Sequence, residues 1–167
     1  NFGKDVPSCV KGKLIYTDFS NAYFKHIKEI IDFEKIKDNL DKSHIIFDGL
    51  YAASIGYFDK LLNEKNIKFD SIRMYHDPNF GGGMPEPKPQ FMGEMIDYIK
   101  AHKNYVGFAN DGDSDRFGVV NENGEYVTPN EIIAILLKHL KKNKKMSGCL
   151  VKTVGASLML DIVAEKL

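Results

Sequence analysis

Residues 105–120 read Tyr105-Val106-Gly107-Phe108-Ala109-Asn110-Asp111-Gly112-Asp113-Ser114-Asp115-Arg116-Phe117-Gly118-Val119-Val120. The opening run, Tyr105 to Ala109, is short and apolar, which predicts a buried strand. Three aspartates at alternate positions follow, closed by Arg116. Beyond them, Phe117 to Val120 and Glu125 to Val127 alternate as two short strands around Asn121-Glu122-Asn123-Gly124, and Asn-Gly is a strong hairpin signal. The acidic cluster therefore lies at a strand end, where open α/β sheets keep their ligands.

Three carboxylates this close repel unless a cation sits among them. A hard divalent ion, Mg²⁺, Mn²⁺ or Ca²⁺, suits their oxygens, and Gly112 lets the backbone bend so that alternate side chains converge. Asp111, Asp113, Asp115 and Glu122 also match ligand positions of a calcium-binding EF-hand. That reading fails at Arg116, which stands where the calcium loop needs glycine, and at the flanks, which are strand and hairpin instead of helices.

Outward from the loop, helix and strand signals alternate. Ser20 is expected to cap a helix with Tyr23, Ile27, Ile30 and Ile31 on its apolar face. Ser43 to Phe47 reads as a strand, followed by a helix facing inward through Ile55, Phe58, Leu61 and Leu62; Ile67 to Tyr75 reads as another strand. The glycine- and proline-rich stretch 81–89 is a shaped connector without regular structure. Phe91 to His102 predicts a helix with Met92, Met95, Ile96 and Ile99 in the core. Thr128-Pro129-Asn130-Glu131 is a capping box that launches a helix from Ile132 to Leu140, closed by the lysines at 141–145, which suit the negative dipole end. Gly148 to Val154 reads as a last strand, and Ser157 as the cap of a last helix reaching Lys166. The fold class is α/β, a three-layer α/β/α sandwich with a mixed sheet.

Composition narrows the function classes. Lys+Arg and Asp+Glu both number 23 in 167 residues, so no bulk field steers nucleic acid or anionic membrane to the chain. No apolar run approaches the ~20 residues needed to span a bilayer, and no signal-peptide pattern opens the chain. The isolated Cys9 and Cys149 read as free thiols in a reducing, cytoplasmic compartment. Arginine occurs only at Arg73 and Arg116 among otherwise lysine-based cations. An arginine kept beside the acidic loop suggests bidentate recognition of phosphate, an internal ion pair, or both.

At Asp111-Gly112-Asp113-Ser114-Asp115-Arg116 the chain resembles the α-D-phosphohexomutases, the phosphoglucomutases and phosphomannomutases, whose metal loop is Asp-Gly-Asp-x-Asp-Arg. The likeness extends to the hairpin, to the Asp77-Pro78-Asn79-Phe80-Gly81-Gly82-Gly83-Met84-Pro85-Glu86-Pro87 segment and to Phe47-Asp48-Gly49-Leu50-Tyr51. It implies Mg²⁺ held by Asp111, Asp113 and Asp115, with Arg116 steadying the charge of a transferring phosphoryl group. It implies helices on both faces of a mixed sheet, and a hexose phosphate and an enzyme phosphoserine as partners. Lys152 is a second-rank candidate for general acid or phosphate contact, with a plain surface lysine as the alternative. The serine, sugar-reading and phosphate-clamp loops of that family have no counterpart here. Residues 1–145 are accordingly expected to be its second domain with an incoming linker, and 146–167 the first strand and helix of the next. Such a piece should bind metal and catalyse nothing alone. The rival reading is a stand-alone metal-binding or regulatory module. Glucose, mannose and glucosamine phosphates are not separable without the sugar-reading loop.

Overall fold

The strand expected at the head of the acidic loop, β3 (Tyr105–Asn110), lies at the centre of a five-stranded sheet in the computed structural model, which describes residues 12–167. On one side of β3 runs β1 (His44–Asp48) and beyond it β2 (Phe69–Ile72), both parallel. On the other side β4 (Phe117–Val120) and β5 (Tyr126–Val127) are antiparallel. The mixed sheet thus follows from one chain event: β3 returns through a tight loop, whereas β1 and β2 each need a crossover.

Register decides which helix covers which face. Ile46, Gly107 and Val120 are aligned neighbours and face the same way. They meet helix α4 (Gly93–Ala101), whose Met95 and Ile99 are fully buried. At Gly107 an added Cβ would sit 2.7 Å from Met95 Sδ, so glycine is what lets α4 lie this close. The alternate row carries Phe47 and Phe108, covered by Phe58 of α3 (Phe58–Glu64) at ring distances of 4.6 and 6.1 Å. Helices on both faces of a mixed sheet make the expected three layers.

Within residues 12–33, which form their own compact unit apart from Glu34–Leu167, the main element is α1 (Ser20–Ile30). Its buried side chain is Phe24, while Tyr23 and Ile30 are about half exposed. The inward stripe is therefore turned one residue, about 100°, from the one expected; phenylalanine has no hydroxyl to keep hydrated. Ser20 is the first helical residue and not the cap: its own N–H donates to Asp18 Oδ1 at 2.8 Å. Cys9 and the first linker residues lie outside the described residues.

Further differences lie at element ends. Helix α2 (Phe33–Asn39) adds an element between the first expected helix and the strand expected at Ser43 to Phe47. Strand β2 stops at Ile72 because Arg73 takes a left-handed φ of 52°. The capping box at Thr128 forms as expected: Glu131 N–H donates to Thr128 Oγ1, and Glu131 Oε2 accepts from Thr128 N at 2.7 Å. It starts α5 (Pro129–Lys138), which ends in one wide turn at His139–Asn143. Gly148 to Val154 is not a strand: no described strand pairs with it, and Val151 and Val154 are exposed. Strand propensity without a partner cannot make a ladder. Ser157 Oγ accepts the Met159 N–H at 3.1 Å and caps α6 (Met159–Glu165), which packs on α5. No helix among the described residues is long and apolar enough to cross a membrane.

The connector between β2 and α4, read as irregular, carries only single 3₁₀ turns at Phe80–Gly82 and Pro89–Phe91. An ion pair anchors both of its ends. Asp48, fully buried at the end of β1, accepts from Arg73 Nε at 2.8 Å and from Arg73 Nη2, which also donates to Phe91 O at 3.0 Å. Burial pushes the Asp48 carboxyl upward, and the guanidinium offsets part of that rise. Desolvation opposes the charge on Arg73, and the Asp48 bonds outweigh it. Arg73→Leu strands a buried carboxylate and should cost about 3 kcal/mol, read from urea unfolding. Gly118→Ala should cost roughly 1–3 kcal/mol in the same assay. Its Cβ would lie 2.6 Å from Pro87 O, a backbone atom that cannot swing aside.

Candidate metal centre

Asn110 and Phe117 face each other across the β3–β4 pair, so Asp111 to Arg116 form the whole turn between them. The turn closes on itself. Asp111 N–H donates to Arg116 O and Ser114 N–H to Asp111 O, both at 3.1 Å. Ser114 bends the chain with a φ of 65°. The Asp111 carboxylate, fully buried, accepts from Arg116 N at 2.9 Å on Oδ1 and from Arg116 Nε at 2.7 Å on Oδ2. Asp113 and Asp115 stand exposed at the mouth.

The loop is braced from outside. Gly112 N–H donates to Pro85 O at 3.1 Å, and Gly112 O accepts from Ala53 N at 3.3 Å. A Cβ at Gly112 would press on Pro85 Cγ at 3.1 Å, so the glycine serves this close approach. From the same connector, Glu86 Oε1 accepts from Arg116 Nη1 at 3.3 Å, and Lys88 Nζ lies 2.6 Å from Glu86 Oε2. The connector's part in the site was missed by sequence reading; the proline-flanked Glu86 was the one available signal.

The three aspartates expected as ligands come together: one oxygen from each lies within 4.8 Å of the others. An octahedral Mg²⁺ with bonds near 2.1 Å spaces its ligand oxygens roughly 3 to 4 Å apart, so slight closure suffices. Charge points the same way. Asp111, Asp113 and Asp115 against Arg116 leave two negative charges, which one divalent ion offsets. Ser114 Oγ, in the same loop, is buried with no partner among the described residues, capacity that an ion's hydration shell can fill. The residues fit such an ion.

Arg116 joins the cluster. Lys152 does not: its Nζ pairs with Asp161 Oδ2 at 2.9 Å on α6 and reaches Ala156 O at 3.5 Å. Beside Arg116 opens a groove of about 460 Å³, floored by Phe117, Tyr126, Ile132, Ile133 and Leu136.

Residues 21–124 match the family model described as phosphoglucomutase/phosphomannomutase, alpha/beta/alpha domain II. The chain belongs to that family. The match takes in all of β1 to β4 and the acidic loop. Among curated relatives, the phosphoglucomutase of Aspergillus oryzae is 30% identical over 155 residues, covering 87% of this chain and 28% of its own length. The phosphoglucomutase/phosphomannomutase of Thermococcus kodakarensis is 28% identical, covering 93% of this chain and 33% of its own. A solved structure from Thermus thermophilus, classed with the phosphomannomutases, superposes with a TM-score of 0.83 at 25% identity, over 95% of this chain and 36% of that one. The chain thus spans about a third of the length of the relatives it matches.

Crowding sets the electrostatics of the family's loop here. The Asp113 charge first, then the Asp111 contact, push the Asp115 carboxyl above the usual aspartate range. Burial pushes Asp111 upward too, but bonds from the Arg116 backbone and guanidinium and from Asp115 outweigh it and hold Asp111 below that range. Just above the ordinary aspartate value the folded chain keeps a proton on Asp115 that the unfolded chain has lost. The contribution of Asp115 to stability should therefore fall as pH rises through that window. Asp113→Asn should bring the Asp115 pKa down and flatten the dependence, as followed by carbon-detected NMR of the carboxyls.

Proposed function

We propose that this chain is the metal-binding domain of a hexose-phosphate mutase that interconverts the 1- and 6-phosphates through an enzyme phosphoserine and a bisphosphorylated sugar. What carries the reading is the convergence of Asp111, Asp113 and Asp115 at the end of the central strand, with Arg116 bonded into the same turn. Membership in a family of phosphoglucomutases and phosphomannomutases supports it.

The three aspartates would hold Mg²⁺. When bound, the ion neutralises a phosphate ester and makes its phosphorus more electrophilic. Arg116 supplies a fixed positive charge beside the transferring phosphoryl group, and Asp111 keeps that charge in place through its Nε bond. The ester would be the phosphoserine of a segment outside this chain, and the acceptor a hexose phosphate. Residues 1–145 would form the metal domain with its linker, and 146–167 would open the following domain. Exposed Val151, Val154 and Leu158 support that division, since such side chains are ordinarily covered. Lys152 keeps a secondary place as a phosphate contact once that following domain is complete. The chain alone would be catalytically inert, and its parent an enzyme of the cytoplasm, without nucleic-acid or membrane partners.

Calorimetric titration of Mg²⁺ into this chain should show weak binding, lost in Asp113→Asn/Asp115→Asn. Adding O-phospho-L-serine should tighten it. Equal binding by parent and variant, or none by either, would sink the reading.

A further inference from the structure

Arg116 is gripped from two sides. Its Nε donates to Asp111 Oδ2 at 2.7 Å within the turn, and its Nη1 donates to Glu86 Oε1 at 3.3 Å across to the connector. Glu86 is itself held. Its side chain is only 18% exposed, and its second oxygen meets Lys88 Nζ at 2.6 Å. Its backbone sits between Pro85, whose carbonyl accepts from Gly112 N, and Pro87, whose carbonyl abuts Gly118. A carboxylate with both oxygens engaged, on a proline-stiffened backbone fastened to the loop, offers the guanidinium one orientation.

The Arg116 side chain is 60% exposed, so packing does not fix its guanidinium plane. Two hydrogen bonds define a plane where one leaves a rotor. With Nε and Nη1 committed, the donors on Nη2 have no hydrogen bond within the described chain. We infer that Glu86 is a positioning residue for Arg116, fixing the guanidinium so that its free donors meet an anionic phosphoryl group at the acidic loop. Lys88 cancels the charge that Glu86 would otherwise set against that anion. The inference rests on the phosphoryl-transfer reading of the loop for the identity of the anion. The restraint itself is a property of this chain.

Because Arg73 and Arg116 are the only arginines, nitrogen-15 spectra hold two side-chain Nε–Hε signals, separable with Arg116→Lys. In the parent, slow rotation of a gripped guanidinium should keep the Arg116 Nη resonances distinct. In Glu86→Ala they should merge, and Nε–Hε exchange should quicken several-fold, while the Arg73 signals stay put. Affinity for Mg²⁺ alone should hold within about threefold, since Glu86 is outside the aspartate cluster. Affinity for O-phospho-L-serine in saturating Mg²⁺ should drop roughly three- to tenfold. Glu86→Gln, which preserves shape and one acceptor, should recover part of both effects and guards against a folding artefact. Unchanged Arg116 resonances in both variants overturn the inference, as does unchanged phosphoserine affinity in variants whose parent binds it. A parent that binds no phosphoserine refutes the functional reading instead, and the Arg116 resonances then decide the positioning role by themselves.

Discussion

Asp111 ends the central strand with a carboxylate that water does not reach, and that carboxylate has two duties. It closes the turn by accepting the Arg116 backbone N–H, and it holds the Arg116 side chain by accepting Nε. Burying an unpaired carboxylate would cost several kcal/mol. The turn therefore has to keep Arg116 folded back, and the next two aspartates are carried to the mouth by the same geometry. Placement of a metal cluster and placement of its companion cation follow from one hydrogen-bonded ring.

The turn does not stand alone. The connector from Arg73 to Met92 has almost no regular structure, yet it is fastened at each place where it passes the loop. Asp48 and Arg73 tie its start to β1, Arg73 ties its end at Phe91, and Pro85 bonds to Gly112. Glycine at 118 permits an approach that a side chain would block, and glycine at 112 one that a side chain would crowd. A change at β1 or in the connector can therefore reach the acidic loop through backbone contacts, without touching a carboxylate.

Short apolar runs, helical periodicity and the Asn-Gly turn made the mixed sheet and its covering helices legible, because buried strands are apolar, covering helices bury one face, and a tight turn forces antiparallel pairing. The spacing of Asp111, Asp113, Asp115 and Arg116 made the cluster legible because all four belong to one turn. Elsewhere the local signal misled. Gly148 to Val154 has strand composition, but composition supplies no partner, and no described strand pairs with the segment. On α1 the apolar residues allowed two neighbouring stripes, and the one through Phe24 was taken.

By itself the sequence determined what short-range chemistry can specify: the strand that feeds the loop, the convergence of carboxylates on alternate positions, the capped start of α5 and the face that α4 buries. Only the tertiary structure decided which distant residues serve the loop. Glu86 lies 30 positions from Arg116, and Asp48 lies 25 from Arg73. No local pattern marks such pairs, because their contact is set by how an irregular connector folds over the sheet end, and that path is fixed by backbone fit between segments far apart in the chain.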